Sequence, residues 1–213
     1  MLEFAKKYAI LKNNTTRQAY VLFWISSIET GFMPKTMKLK FDIDKALACV
    51  GFICAENKNP IDLYRLMKLV YLADRKSFVE TFRPITNDNW VNMPHGPVNS
   101  TVYDLTKGTA PAELQEKWDS HFSCKNNLFS MKCQPRQDVL TGLEIEAIKS
   151  AIDSLRDCRD FFSIRDKMHK LPEYVGTQSS EPVNLKKILE AEYVGITDEE
   201  INDIINDLQV SRG

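Results

Sequence analysis

The chain has 213 residues, enough for one domain with an extension, and its formal net charge of −1 excludes a strong overall attraction to nucleic acid or to an anionic membrane. With 43% hydrophobic and 27% charged residues it has the composition of an ordinary soluble protein, and only eight glycines argue against a strand-and-turn architecture. Five cysteines at irregular spacings form no disulfide framework, which favours a reducing, cytoplasmic location.

Residues 1–40 are interpreted as an N-terminal extension of a domain that spans residues 41–213. The apolar run from Tyr20 to Ile25 is too short to cross a bilayer, so no membrane association is expected. We predict that this extension is helical and packs on the domain through Phe23, Trp24 and Ile25, with contact to a partner as the alternative.

Two amphipathic helices follow. The pattern of residues 42–55 predicts the first, with Asp42 or Asp44 at its positive end. Residues 61–80 carry a wider apolar stripe and predict one central, buried helix, with Asn59 and Pro60 at its start. Asp74 is expected to hold neighbouring cations in this helix.

The segment after the central helix is predicted to be an ordered loop. Residues 81–103 contain three prolines, a turn cluster at residues 86–89 and the run His95-Gly96-Pro97, and a helix should restart near Ser100. Residues 128–133 alternate weakly and predict a short strand paired with residues near Trp90 and Val91.

Several helices are predicted in the remainder, giving a mainly α fold with a minor two- or three-stranded β element around one central buried helix. Thr141 and Glu144 form a capping box that opens one of them. The predicted ranges are 112–122 (a short helix or an irregular arm), 141–158, 161–170, 184–192 and a last helix capped within 196–200.

No cofactor or catalytic motif is present, so we expect neither a bound cofactor nor enzymatic activity. His121, Cys124 and Cys133 are the nearest approach to a metal cluster, but a fourth ligand is not evident, and buried thiols beside a surface histidine explain them better. His95 is expected to pin a turn and His169 to close a helix end, rather than to act as general bases.

The densest group of cations lies on and just after the central helix. A nucleic-acid groove would use such residues, whereas the interspersed acids favour a solvated face with salt bridges, and an acidic protein surface could also meet them. The group contains Arg65, Lys68, Arg75, Lys76 and Arg83.

Three motifs in this region resemble the SocA-like Panacea antitoxin domain, a family also met among phage-associated proteins. They are Asp62-x-x-Arg65-Leu66-x-Lys68-Leu69-Val70-Tyr71-x-Ala73-Asp74, then Arg83-Pro84-Ile85-Thr86, then Gly96-Pro97-Val98-x-Ser100-x-x-Tyr103. Phe82 stands where a glycine often precedes the Arg-Pro pair of that family, and Arg65 where a lysine is usual.

The resemblance implies an antitoxin of a toxin–antitoxin or phage-defence module, in a bacterium or prophage, that neutralises a cognate protein toxin encoded nearby. It implies a helical domain whose polar centre and exposed loop are organised by Lys68, Asp74, Arg83, His95, Tyr103 and His169. Alternatives are an adaptor that delivers the toxin to an ATP-dependent protease, an autorepressor that binds nucleic acid, and an enzyme that reverses a toxin's modification. Nucleic acid is the less expected partner, because the net charge is near zero.

Overall fold

The computed structural model describes residues 40–57 and 59–212, with side chains as far as residue 208. The helices are α1 (Ile43–Glu56), α2 (Leu63–Thr81), α3 (Ser100–Lys107), α4 (Ala112–His121), α5 (Gly142–Ser154), α6 (Phe161–Met168), α7 (Leu185–Glu192) and α8 (Asp198–Arg212). The strands are β1 (Ile61–Asp62), β2 (Trp90–Asn92), β3 (Val98–Asn99), β4 (Phe122–Lys125), β5 (Leu128–Met131) and β6 (Glu181–Pro182).

Residues 40–192 form one compact unit, and the residues from Tyr193 onward belong to a second. In the second unit, α8 begins at a reciprocal cap in which Glu200 accepts from the Thr197 N–H and the Thr197 hydroxyl accepts from the Glu200 N–H. The predicted N-terminal extension lies outside the described residues, apart from Lys40.

Helix α2 is the centre of the first unit, as the sequence predicted. Its most extensive contacts are with α5, and it also contacts α1, α6, α7 and β3. Leu66, Leu69, Val70 and Ala73 are completely buried, so the helix is covered on most of its sides. The prediction of a mainly α fold around one central helix is confirmed.

The predicted start of α2 was wrong by two residues. Asp62 caps the helix by accepting from the Arg65 N–H at 2.9 Å, whereas the Asn59 side chain exchanges two hydrogen bonds with the backbone of Met131. Residues 61–62 instead pair with β5. The cap moves to Asp62 because this strand pairing holds the preceding residues extended.

Helix α2 ends in a left-handed residue. Phe82 has φ of +58° and its N–H bonds to the Phe78 carbonyl, which is the geometry that a glycine usually supplies at a helix end. The helix therefore ends in the conformation that glycine usually adopts, although Phe82 carries a side chain that this conformation disfavours.

Two small antiparallel sheets complete the first unit, in the orders β1-β5-β4 and β3-β2-β6. The strand predicted at residues 128–133 exists as β5, but its predicted pairing with Trp90 and Val91 was wrong. β5 pairs with β1 and β4, while Trp90 and Val91 pair with β3 and Val91 also with β6.

Capping signals in the sequence located the starts of α5 and α8. The capping box of Thr141 and Glu144 opens α5 as predicted, although α5 ends at Ser154, before the predicted Cys158. None of the helices in the described ranges combines the length and apolar character that crossing a membrane requires.

Candidate partner-binding cleft

The run Pro94-His95-Gly96-Pro97, here called the Gly-Pro loop, is held by side chains from the interior. Lys68 on α2 is 2% exposed, and its Nζ donates to the carbonyls of Gly96 at 2.8 Å and Pro97 at 3.0 Å. The same Nζ lies 5.2 Å from the centre of the Tyr64 ring. Burial lowers the pKa of Lys68 to about 7, because desolvation disfavours the charged form.

The first two carbonyls of the Gly-Pro loop are also bonded by side chains. The Pro94 carbonyl accepts from the Tyr174 hydroxyl at 3.1 Å and lies 3.2 Å from His169 Nε2, and the two rings are stacked 4.2 Å apart. The His95 carbonyl accepts from the Tyr64 hydroxyl at 2.8 Å. All four consecutive carbonyls of the loop therefore have a side-chain partner, which fixes its backbone path.

Gly96 allows the loop to approach α6 closely. Its φ is +101°, and a Cβ added there would lie 2.7 Å from Met168 Cβ. Any other residue would clash with the end of α6 and would adopt a disfavoured backbone conformation.

Asp74, which with Lys68 is one of the two predicted site residues on α2, organises a buried polar cluster. Its carboxylate accepts from Thr86 N at 3.0 Å, Thr86 Oγ1 at 2.5 Å, Asn99 Nδ2 at 2.7 Å and Trp90 Nε1 at 3.3 Å. Complete burial raises its pKa to about 6, although these hydrogen bonds oppose the shift. The prediction that Asp74 holds cations was wrong, because its partners are neutral donors that tie residues 86–99 to α2.

Two further predicted site residues, Arg83 and Tyr103, belong neither to the loop contacts of Lys68 nor to the Asp74 cluster. Arg83 is half-buried, and its carbonyl accepts from the hydroxyls of Ser77 at 2.8 Å and Thr81 at 3.2 Å. Tyr103 on α3 is half-buried, and Lys107 Nζ lies 5.3 Å from the centre of its ring.

A cleft of about 680 Å³ opens beside the Gly-Pro loop, α2, α3 and the start of α6. Of the six predicted site residues, Lys68, His95 and Tyr103 line it. Asp74, Arg83 and His169 do not, and His169 acts on the loop from outside the cleft lining. His95 is thus part of the loop and His169 contacts the loop's Pro94 carbonyl, but of the two histidines only His95 lines the cleft.

Four rings, those of Tyr64, His95, Phe161 and Phe162, form an aromatic ridge, and the first three of these residues line the cleft while Phe162 lies beside Phe161. The Phe161 ring lies 4.6 Å from the Tyr64 ring, 5.2 Å from the His95 ring and 5.5 Å from the Phe162 ring. Phe161 is 36% and Phe162 62% exposed. The ridge therefore leaves apolar surface in water beside a fixed loop.

Most of the predicted basic group is engaged within the chain. Arg75 pairs with Glu173 at 2.7 Å and with Glu192 at 2.9 Å, and Lys76 pairs with Glu80 at 2.9 Å. Arg65 donates to the carbonyls of Leu155 and Cys158. These cations thus serve the fold, and they do not form the open groove that nucleic acid would need.

Sequence reasoning missed the ridge and most of the partners of the loop. Phe161 and Phe162 follow the helix-capping Asp160, and their adjacency offered a signal, because one helical face cannot bury both. In the parts of the chain that the structure describes, no three His, Cys, Asp or Glu residues are grouped to hold a metal ion.

Comparison with known proteins gives a family match. A family model described as "Antitoxin SocA-like, Panacea domain" matches residues 66–174, slightly more than half of the chain. This range begins within α2 and ends at Tyr174, so it contains the Gly-Pro loop, the Asp74 cluster and most of the cleft. No curated protein and no solved structure matches the chain.

Proposed function

Because the chain belongs to the family of SocA-like antitoxins with a Panacea domain, we propose that it binds and neutralises a protein toxin encoded by a neighbouring gene. Neutralisation takes place by direct masking, in which the toxin is held in a stable complex. The cleft beside the Gly-Pro loop is the surface that receives the toxin.

The aromatic ridge is the observation that supports this site. Aromatic side chains are enriched at protein interfaces, and a few of them contribute most of the binding energy. Phe161 and Phe162 offer such anchors in the free protein.

The fixed loop supports the same proposal. Four side-chain-bonded carbonyls and two prolines hold the backbone of the Gly-Pro loop before a partner arrives. A surface that is already ordered loses little conformational entropy on binding, which favours a tight complex.

The test combines growth rescue with binding. The neighbouring gene is expressed from an inducible promoter, with and without this protein, and the two products are co-purified. We expect wild type to restore growth and to form a complex, and Phe162→Ala to weaken that complex by roughly thirtyfold, the effect of losing a hot-spot side chain.

Phe162→Tyr is the matched control, because it keeps the ring and should keep rescue. Both variants should melt like wild type, since Phe162 is 62% exposed. Failure of wild type to rescue growth or to bind the neighbouring-gene product would refute the proposal. Full rescue by Phe162→Ala would show that the aromatic ridge does not bind the toxin.

A further inference from the structure

The cleft carries more positive than negative charge, although the chain as a whole is slightly acidic. Three cationic side chains, the Lys68 amine and two carboxylates line it. The cations are Arg65, Lys107 and Arg159, the carboxylates are Asp62 and Asp160, and Lys68 carries only part of a charge near neutral pH because burial lowers its pKa to about 7.

Both carboxylates are already used as helix caps. Asp62 accepts from the Arg65 N–H at 2.9 Å, and Asp160 accepts from the Ser163 N–H at 2.8 Å. Each lies at the positive end of a helix, where the backbone amides offset part of its charge. The helix ends therefore offset part of the negative charge of these two acids, and the lining keeps a positive balance.

The cations of the cleft have no carboxylate partner among the described residues. Lys68 and Arg65 donate to backbone carbonyls, which carry no formal charge. Lys107 lies over the ring of Tyr103, and within the described ranges neither Lys107 nor the exposed Arg159 makes a hydrogen bond or an ion pair. Lys107 and Arg159 are thus available to a ligand at the mouth of the cleft.

Resting on the proposed function, we propose that the cleft recognises an acidic segment of the toxin that carries an apolar anchor. The anchor packs on the aromatic ridge, and one or more Asp or Glu side chains of the segment pair with Lys107 and Arg159. The lining supports both contacts, because Met67, Met93 and Ile164 supply apolar surface beside the cations.

A protein segment fits this lining better than nucleic acid. Nucleic-acid binding draws on a row of free cations that follows a phosphate backbone. The cleft has two free cations, Lys107 and Arg159, beside the apolar lining, and this arrangement matches a short protein segment with acidic and apolar side chains instead.

The experiment measures how fast this protein associates with the purified neighbouring-gene product. Lys107→Glu and Arg159→Glu are combined, and the association rate constant is measured at low and high salt. We expect a decrease of about tenfold or more at low salt, shrinking as salt screens the charges.

Two further variants make the result specific. Lys149→Glu combined with Lys187→Glu makes the same charge change at two exposed sites outside the cleft lining and should leave the rate near that of wild type. Lys107→Gln combined with Arg159→Gln should give a smaller decrease than the double reversal, with unchanged melting temperature.

The outcomes separate this inference from the proposed function. If wild type binds and neutralises but the double reversal associates at the same rate with the same salt dependence, the acidic segment is refuted and the antitoxin role stands. A wild type that binds no neighbouring-gene product overturns both. Salt-sensitive binding of an oligonucleotide, lost in the double reversal, overturns the inference in favour of nucleic acid.

Discussion

The buried ammonium of Lys68 makes a stability prediction that can be measured as a function of pH. Its pKa is lowered to about 7 in the folded state, from an ordinary value of 10.5. Between these values the unfolded chain binds more protons than the folded one. The contribution of Lys68 to the free energy of unfolding therefore rises with pH, by about 1.4 kcal/mol per pH unit at most.

The perturbation is Lys68→Met, which keeps a long side chain and removes the charge. The variant loses the two hydrogen bonds to the Gly96 and Pro97 carbonyls, a cost that does not depend on pH. The difference in the free energy of unfolding between wild type and variant should therefore be the sum of a constant and a part that rises with pH. From about pH 7.5 to about pH 9, wild type should gain about 2 kcal/mol relative to the variant.

The assay is urea unfolding of both proteins at several pH values in this window. Lys76→Met is the matched control on the same helix, because Lys76 is 42% exposed in its pair with Glu80 and should show no such slope. If the difference between wild type and Lys68→Met stays constant up to about pH 9, the two carbonyls hold the lysine charged, and the reasoning from desolvation is refuted.

Three substitutions test other parts of the site by urea unfolding. Asp74→Ala leaves four buried donor contacts without their acceptor and should lower the free energy of unfolding by about 3–5 kcal/mol. Asp153→Ala removes an exposed ion pair and should change it little, so equal effects of the two substitutions would contradict the role of the Asp74 cluster. Phe82→Gly should be more stable than Phe82→Ala by about 1 kcal/mol because φ is +58°, and the reverse order would show that the helix ends differently. Gly96→Ala should cost about 1–3 kcal/mol and weaken toxin binding because its Cβ meets Met168, and a neutral result would mean that the loop is not packed on α6.

Helices were predictable here because each carries its own signal. The apolar stripe of α2 and the capping box of α5 are local patterns that need no knowledge of the fold. The strands have only two to four residues, too few for an alternating pattern to decide a partner. Their pairing depends on the register of distant segments, which is why β5 was paired wrongly.

The site was predictable only in part, for a related reason. The motif residues Lys68, His95 and Tyr103 were named as candidates, but the partners of the Gly-Pro loop lie 28 to 80 residues away in sequence. The adjacency of Phe161 and Phe162 indicates that one helical face cannot bury both, but which surface they expose depends on where α6 packs. These residues meet only in the folded protein, and their spacing in the sequence does not predict the contacts.

The side chains that hold the Gly-Pro loop differ from those that would meet the proposed partner. The side chains that hold the loop, such as Lys68 and Tyr64, act on its backbone from within. Phe162, Arg159 and Lys107, in contrast, are exposed to solvent and contribute nothing to the buried contacts that hold the loop. Under the proposed function, a few substitutions at the exposed rim of the cleft would change which partner is bound while leaving the buried contacts of the loop intact.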